Sequence, residues 1–133
     1  MNIIRYHYNP KKSLIELPGR VFGPCGDVNI TLIFDPGSFR TILSSSILHS
    51  IGYDTKSNLG NVQTTSVSGI EKGTLLCVDE LKFLTFCFKR IDIACFDLPP
   101  RYQIDGLIGL DVLEHFEVSL NHRERWIQFN KLD

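Results

Sequence analysis

The sequence predicts a mainly β, single-domain fold with one or two short helices. Three observations carry that prediction. Short apolar, β-branched runs such as Val28–Phe34 alternate with clusters of Gly, Pro, Ser and Asn. Only two stretches, Ser44–Gly52 and Asp111–Phe116, suit helical turns. The 133 residues fill one compact domain, which can bury about two-thirds of its unfolded surface without staples.

Residues 1–12, polar and aromatic with Pro10 and Lys11-Lys12, read as an N-terminal arm, and residues 13–133 as the domain. Ser13–Phe22 alternates loosely around Leu14, Ile15, Leu17, Val21 and Phe22 as a strand does. Gly23-Pro24-Cys25-Gly26-Asp27 is turn vocabulary and Val28–Phe34 returns, so the two runs form a hairpin. The second strand stops at Asp35-Pro36-Gly37-Ser38. Serines start the short helix at Ser44–Gly52 and Gly52 suits its C-cap.

Ser57–Gly73 is rich in Ser, Thr, Asn and Gly, a composition that fits an exposed, flexible hairpin. Thr74–Val78 and Phe83–Phe96 read as two strands, ended by Pro99-Pro100. Ile104–Leu113 is a short apolar strand between glycines that leads into the helical turn, which Asp111 caps. Glu117–Leu120 and Trp126–Phe129 are closing strands about a polar turn at Asn121-His122, with Trp126 and Phe129 as core residues.

Charge excludes several function classes. With 14 basic and 15 acidic residues the net charge is −1, so neither a nucleic-acid footprint nor a polybasic membrane surface is expected. Apolar runs fall far short of the ~20 residues of a membrane helix. Met1–Tyr8 lacks the apolar core of a secretory peptide, which favours a cytoplasmic protein. Cys25, Cys77, Cys87 and Cys95 form no Cys-x-x-Cys pair and have no His at ligand spacing. They read as reduced core or half-core thiols, and the sequence calls for no metal and no cofactor. The sequon Asn29-Ile30-Thr31 lies within a strand and reads as accidental. His49, His115 and His122 have no nucleophile or metal partner at recognisable spacing and read as surface residues.

Asp35 is the chemical signal. A carboxylate at the end of an apolar strand is costly to bury unless it is hydrogen-bonded. A glycine two residues later lets backbone N–H groups approach it, and Ser38 can donate from the side. Taken alone, Asp-Pro-Gly-Ser is also an ordinary β-turn.

In context, Phe34–Ser44 resembles the active-site segment of the retropepsin-like aspartic proteases, an apolar strand running into Asp-Thr/Ser-Gly-Ala/Ser. Ile104–Leu113, with Asp105, Gly106, Leu107, Ile108 and Gly109, resembles that family's second signature. Ser66, Val67, Ser68 and Gly69 stand where its flap lies. The likeness is closest to bacterial single-domain members and spans roughly Leu14–Phe129.

That resemblance implies an acid-protease barrel with a flap hairpin, active as a homodimer on peptide or protein substrates. One Asp35 from each copy would share a proton and hold one water, because like charges so close do not both ionise readily. The ionised member would act as general base while the protonated one polarises the scissile carbonyl. Gly37 would give its N–H to the carboxylate and Ser38 a hydrogen bond to its outer oxygen. The flap would close over an extended peptide.

Two positions depart from the family pattern. Pro36 replaces the Thr or Ser whose hydroxyl braces the two active-site loops across the dimer, and proline offers neither hydroxyl nor N–H. Leu110 stands where retroviral members carry an Arg. A catalytically inactive protease-like module for dimerisation or peptide binding is therefore the alternative. Asp105 reads as a turn or strand-end residue rather than a second acid, and Arg123 and Arg125 as a solvated hairpin end.

Overall fold

The computed structural model describes residues 2–55, 60–66, 69–98 and 103–133, and only the backbone of 62, 64–66 and 69–72. Alternation builds its first hairpin. Leu17 and Val21 of β2 (Glu16–Gly23) and Ile30 and Leu32 of β3 (Gly26–Phe34) are buried on one side. The strands pair from Glu16↔Ile33 to Gly23↔Gly26 across the two-residue turn Pro24-Cys25.

The chain then forms β4 (Ile42–Ser44) and helix α1 (Ser45–Ser50). Helix α1 ends in a Schellman motif. Tyr53 N–H donates to Leu48 O and Gly52 N–H to His49 O, both at 3.1 Å, with Gly52 at φ 100°. At the other end the Ser44 hydroxyl meets the Ser46 hydroxyl and does not cap the helix.

β5 (Gly60–Ser66), β6 (Gly69–Phe83) and β7 (Phe86–Phe96) form a meander. β8 (Gly106–Ile108), helix α2 (Leu110–Leu113), β9 (Phe116–Asn121) and β10 (Trp126–Lys131) complete the order. Neighbours run β2-β3-β8-β4-β7-β6, and β6 pairs back to β2 from Gly19↔Phe83 to Phe22↔Glu80. That closes a six-stranded barrel. β5 pairs only with the first part of β6, Gly60↔Leu75 to Ser66↔Gly69, so this hairpin extends from the barrel.

In the scaffold around the site the structure differs from the sequence reading at four places. Residues 1–12 carry a strand, β1 (Ile3–His7), paired residue by residue with β10 in a second sheet of order β1-β10-β9. Ile4 and Tyr6 pack on the core while Ile3, Arg5 and His7 face outward.

Secondly, β6 runs unbroken to Phe83, and the chain reverses at Leu84-Thr85, inside the run read as one strand. Leu84 sits there at φ 53°, a conformation that side chains other than Gly, Asn and Asp rarely adopt. Thirdly, Ile127 and Phe129 are fully buried while Trp126 faces the other way, with the Arg5 guanidinium 3.7 Å over its ring. Residues three apart on a strand point to opposite faces, so Trp126 and Phe129 cannot share a core. Lastly, Cys25 is exposed at the first hairpin turn, Cys77 and Cys87 are half-buried and Cys95 is buried, all as free thiols. β7 ends at Phe96, and Pro99-Pro100 lies outside the described residues.

Phenylalanines join the two sheets. Phe83 and Phe86 from the barrel meet Phe116 and Phe129 from the second sheet with centroid separations of 4.7 Å (Phe86–Phe116) and 5.3 Å (Phe83–Phe129). Among the described residues no helix is long and apolar enough to cross a membrane.

Candidate active site

Asp35 leaves the end of β3 half-buried, and its N–H donates to Ile108 O at 3.0 Å. The next residues form a β-turn: Ser38 N–H donates to Asp35 O at 3.1 Å, with Pro36 and Gly37 at its corners. Proline pre-sets the backbone angle that the first corner of such a turn needs. The Gly37 N–H donates to Asp35 Oδ1 at 3.1 Å, so the turn aims one backbone dipole at the carboxylate. The Ser38 hydroxyl does not reach Asp35. It donates to Arg40 O at 2.7 Å, a carbonyl of the same loop only two residues on.

The second signature lies against this loop. β8 is parallel to β3 (Leu32↔Gly106 to Phe34↔Ile108) and antiparallel to β4 (Ile42↔Leu107, Leu43↔Gly106). A Cβ at Gly106 would stand 2.1 Å from Ile42 O, and one at Gly109 2.5 Å from Arg40 O. Only glycine permits that approach. Leu110 N–H then donates to Ser38 O at 2.9 Å.

Asp105 is a backbone brace. Its Oδ2 accepts the Thr31 N–H at 2.7 Å, its own N–H donates to Thr31 O, and its carbonyl accepts the Ser44 N–H at 2.8 Å.

Asp111 does not cap α2, whose N-cap is Gly109. Instead its Oδ1 accepts the Thr41 N–H at 2.8 Å, the Thr41 hydroxyl at 2.7 Å and the Val112 N–H at 2.9 Å. Thr41 Oγ1 in turn accepts the Gly109 N–H at 3.1 Å. Thr41 is fully buried, and this network ties the loop after Asp35 to the second signature. Asp111 Oδ2 is buried without a hydrogen-bond partner among the described residues.

Ser66 and Gly69 pair at the end of the β5–β6 hairpin, and Val67 and Ser68 lie outside the described residues. Gln63 from that hairpin joins Ser38, Phe39, Arg40, Ile42, Ala94 and Phe96 around a cavity of about 50 Å³ beside the Asp35 turn. One residue of the hairpin thus borders the same cavity as the loop. Larger clefts, including one of about 470 Å³ lined by Tyr8, Lys12 and Arg125, do not include the turn.

At Cys77, Cys87 and Cys95 a cysteine nucleophile gains no support. Burial first, then the charge of Asp92, pushes the Cys77 thiol up, and burial does the same to Cys87 and Cys95. Raised thiols stay protonated near neutrality and are poor nucleophiles.

Thr41, Arg40 and Gln63 carry no local signal. Thr41 reads as one more β-branched strand residue, and its partner is 70 positions away. The one available hint is that a buried hydroxyl must be hydrogen-bonded.

A family model described as aspartyl protease matches residues 17–112. No curated protein matches the chain. Among solved structures, a retropepsin-like aspartic protease from Rickettsia conorii superposes with a TM-score of 0.72 at 16% identity, covering 98% of this chain and 91% of that one. EIAV protease complexed with the inhibitor HBY-793 superposes with a TM-score of 0.60 at 17% identity, covering 82% and 92%. At such identities the two structures establish a common fold.

Proposed function

The chain belongs to the aspartyl protease family, and on that premise we propose that it is an aspartic endopeptidase whose active site is completed by a second copy. The observation that carries this is the single Asp35 turn, with the Gly37 N–H on the carboxylate and the second signature packed beneath it.

In this reading two Asp35 carboxylates face each other across the dimer axis and share one proton. The ionised carboxylate takes a proton from the water between them as that water attacks the peptide carbonyl. The protonated partner donates to the carbonyl oxygen as it gains charge. The tetrahedral intermediate then collapses as the nitrogen is protonated, with no covalent bond to the enzyme. The Gly37 N–H holds the carboxylate in place, and a fixed donor loses no energy to reorganisation during the reaction. The β5–β6 hairpin covers an extended peptide. The enzyme works in the cytoplasm, where its four cysteines stay thiols.

Pro36 favours a second reading, a protease-like dimerisation or peptide-binding module without catalysis. The two separate in one experiment. Asp35→Asn keeps an acceptor for the Gly37 N–H, so it should preserve fold and self-association while abolishing peptide cleavage. Wild-type-rate cleavage by Asp35→Asn would overturn the mechanism. No turnover by the wild type from acidic to neutral pH, across a diverse peptide set, would favour the binding module.

A further inference from the structure

The small cavity beside the Asp35 turn has one charged residue in its lining. Its lining is largely apolar, with Phe39, Ile42, Ala94 and Phe96, and Ala94, Phe96 and Ile42 form a small buried cluster that Leu107 and Leu98 flank. Its polar side chains are Ser38, Gln63 and Arg40. The Ser38 hydroxyl is already engaged with Arg40 O. Arg40 carries the one formal charge of the lining, is exposed, and has no carboxylate partner among the described residues.

Position adds to chemistry. One wall is the loop that follows the Asp35 turn, a second is β7, and a third is Gln63 of the β5–β6 hairpin. A peptide lying between hairpin and turn would project a side chain into this cavity. At about 50 Å³ the cavity is small and suits a slim side chain rather than a large ring.

We propose that this cavity is a specificity pocket for an acidic side chain of the substrate, its carboxylate held by the Arg40 guanidinium and the Gln63 amide, its methylene stem against Ile42 and Phe96. The inference rests on the protease reading, because it takes the bound peptide to run past Asp35. A planar guanidinium binds carboxylate through two parallel hydrogen bonds, which a neutral amide of the same shape does not match. A preference of about tenfold for Glu over Gln is the expected size.

The test uses an apolar peptide frame in which Glu, Gln or Lys is walked through the positions flanking the scissile bond. With wild-type enzyme, Glu should exceed Gln by about tenfold in kcat/KM at one position, mostly through KM. Arg40→Glu should reverse the order at that position in favour of Lys. Equal kcat/KM for Glu and Gln at every position, or a preference unchanged in Arg40→Glu, would overturn the pocket while leaving proteolysis intact.

Binding separates the two readings. Calorimetry with Asp35→Asn and the same peptides should show the Glu preference without turnover. If the wild type cleaves nothing yet binds Glu over Gln in an Arg40-dependent way, the pocket stands and the catalytic reading falls. Failure of every peptide to bind overturns the pocket.

Discussion

Thr41 donates both its backbone N–H, at 2.8 Å, and its hydroxyl, at 2.7 Å, to the same oxygen of Asp111. The same hydroxyl accepts the Gly109 N–H, so one buried side chain links the loop after Asp35 to the glycine that runs beneath it. The position of the candidate catalytic carboxylate thus depends on residues far from it in sequence.

Thr41→Val keeps the shape and removes the hydroxyl, leaving the Gly109 N–H unsatisfied in a buried site. Each such loss costs about 1–3 kcal/mol. Urea unfolding should show that loss for Thr41→Val and much less for Thr41→Ser. Asp111→Ala should be worse than Asp111→Asn, because the network needs an acceptor at Oδ1 more than it needs a charge. Under the protease reading, kcat should fall more than KM rises in Thr41→Val, since the loop would be less well held.

Tyr53 bridges the first hairpin and β6. Its hydroxyl donates to Phe22 O at 2.6 Å and accepts the Asp79 N–H at 2.7 Å. Tyr53→Phe should cost about 1–3 kcal/mol, measured by urea unfolding.

Burial, the largest cause, raises the Tyr53 hydroxyl above its ordinary value of 10.0, with the Asp79 charge adding to it and the Asp79 backbone hydrogen bond opposing it. A group raised on folding contributes stability that is complete below its unfolded value and is lost as pH rises through the folded one. The wild type should therefore lose stability in alkaline solution above about pH 10, and Tyr53→Phe should lose less over that range. A melting series from neutral to alkaline pH reads the difference.

Pro36 is exposed at the first corner of the Asp35 turn. Replacing it frees a backbone angle in the unfolded chain, which costs about 0.4–1 kcal/mol. Pro36→Thr should lower the melting temperature slightly. Under the protease reading it also supplies the hydroxyl that the family pattern places across a dimer, so sedimentation should show tighter self-association than in the wild type.

The strands with apolar alternation were readable because their signal is local. β2 and β3 announce themselves by side-chain period and by Gly-Pro-Cys-Gly between them. The Asp35 turn and Gly106–Gly109 were readable as motifs. β1 was not, since only Ile4 and Tyr6 face the core and its strand character comes from pairing with β10 at the far end of the chain. The reversal at Leu84-Thr85 was hidden because it contains none of the residues that mark tight turns.

Local composition thus settled the class of fold, the order of most strands and the carboxylate on which the chemistry is proposed to turn. Barrel closure through β2 and β6, the Thr41–Asp111 network and the placing of Arg40 and Gln63 around one cavity beside the Asp35 turn came from the three-dimensional packing. The reason is physical. Propensity and periodicity act over a few neighbouring residues, whereas a buried hydroxyl or a free guanidinium is given its role by whatever distant segment the fold brings against it.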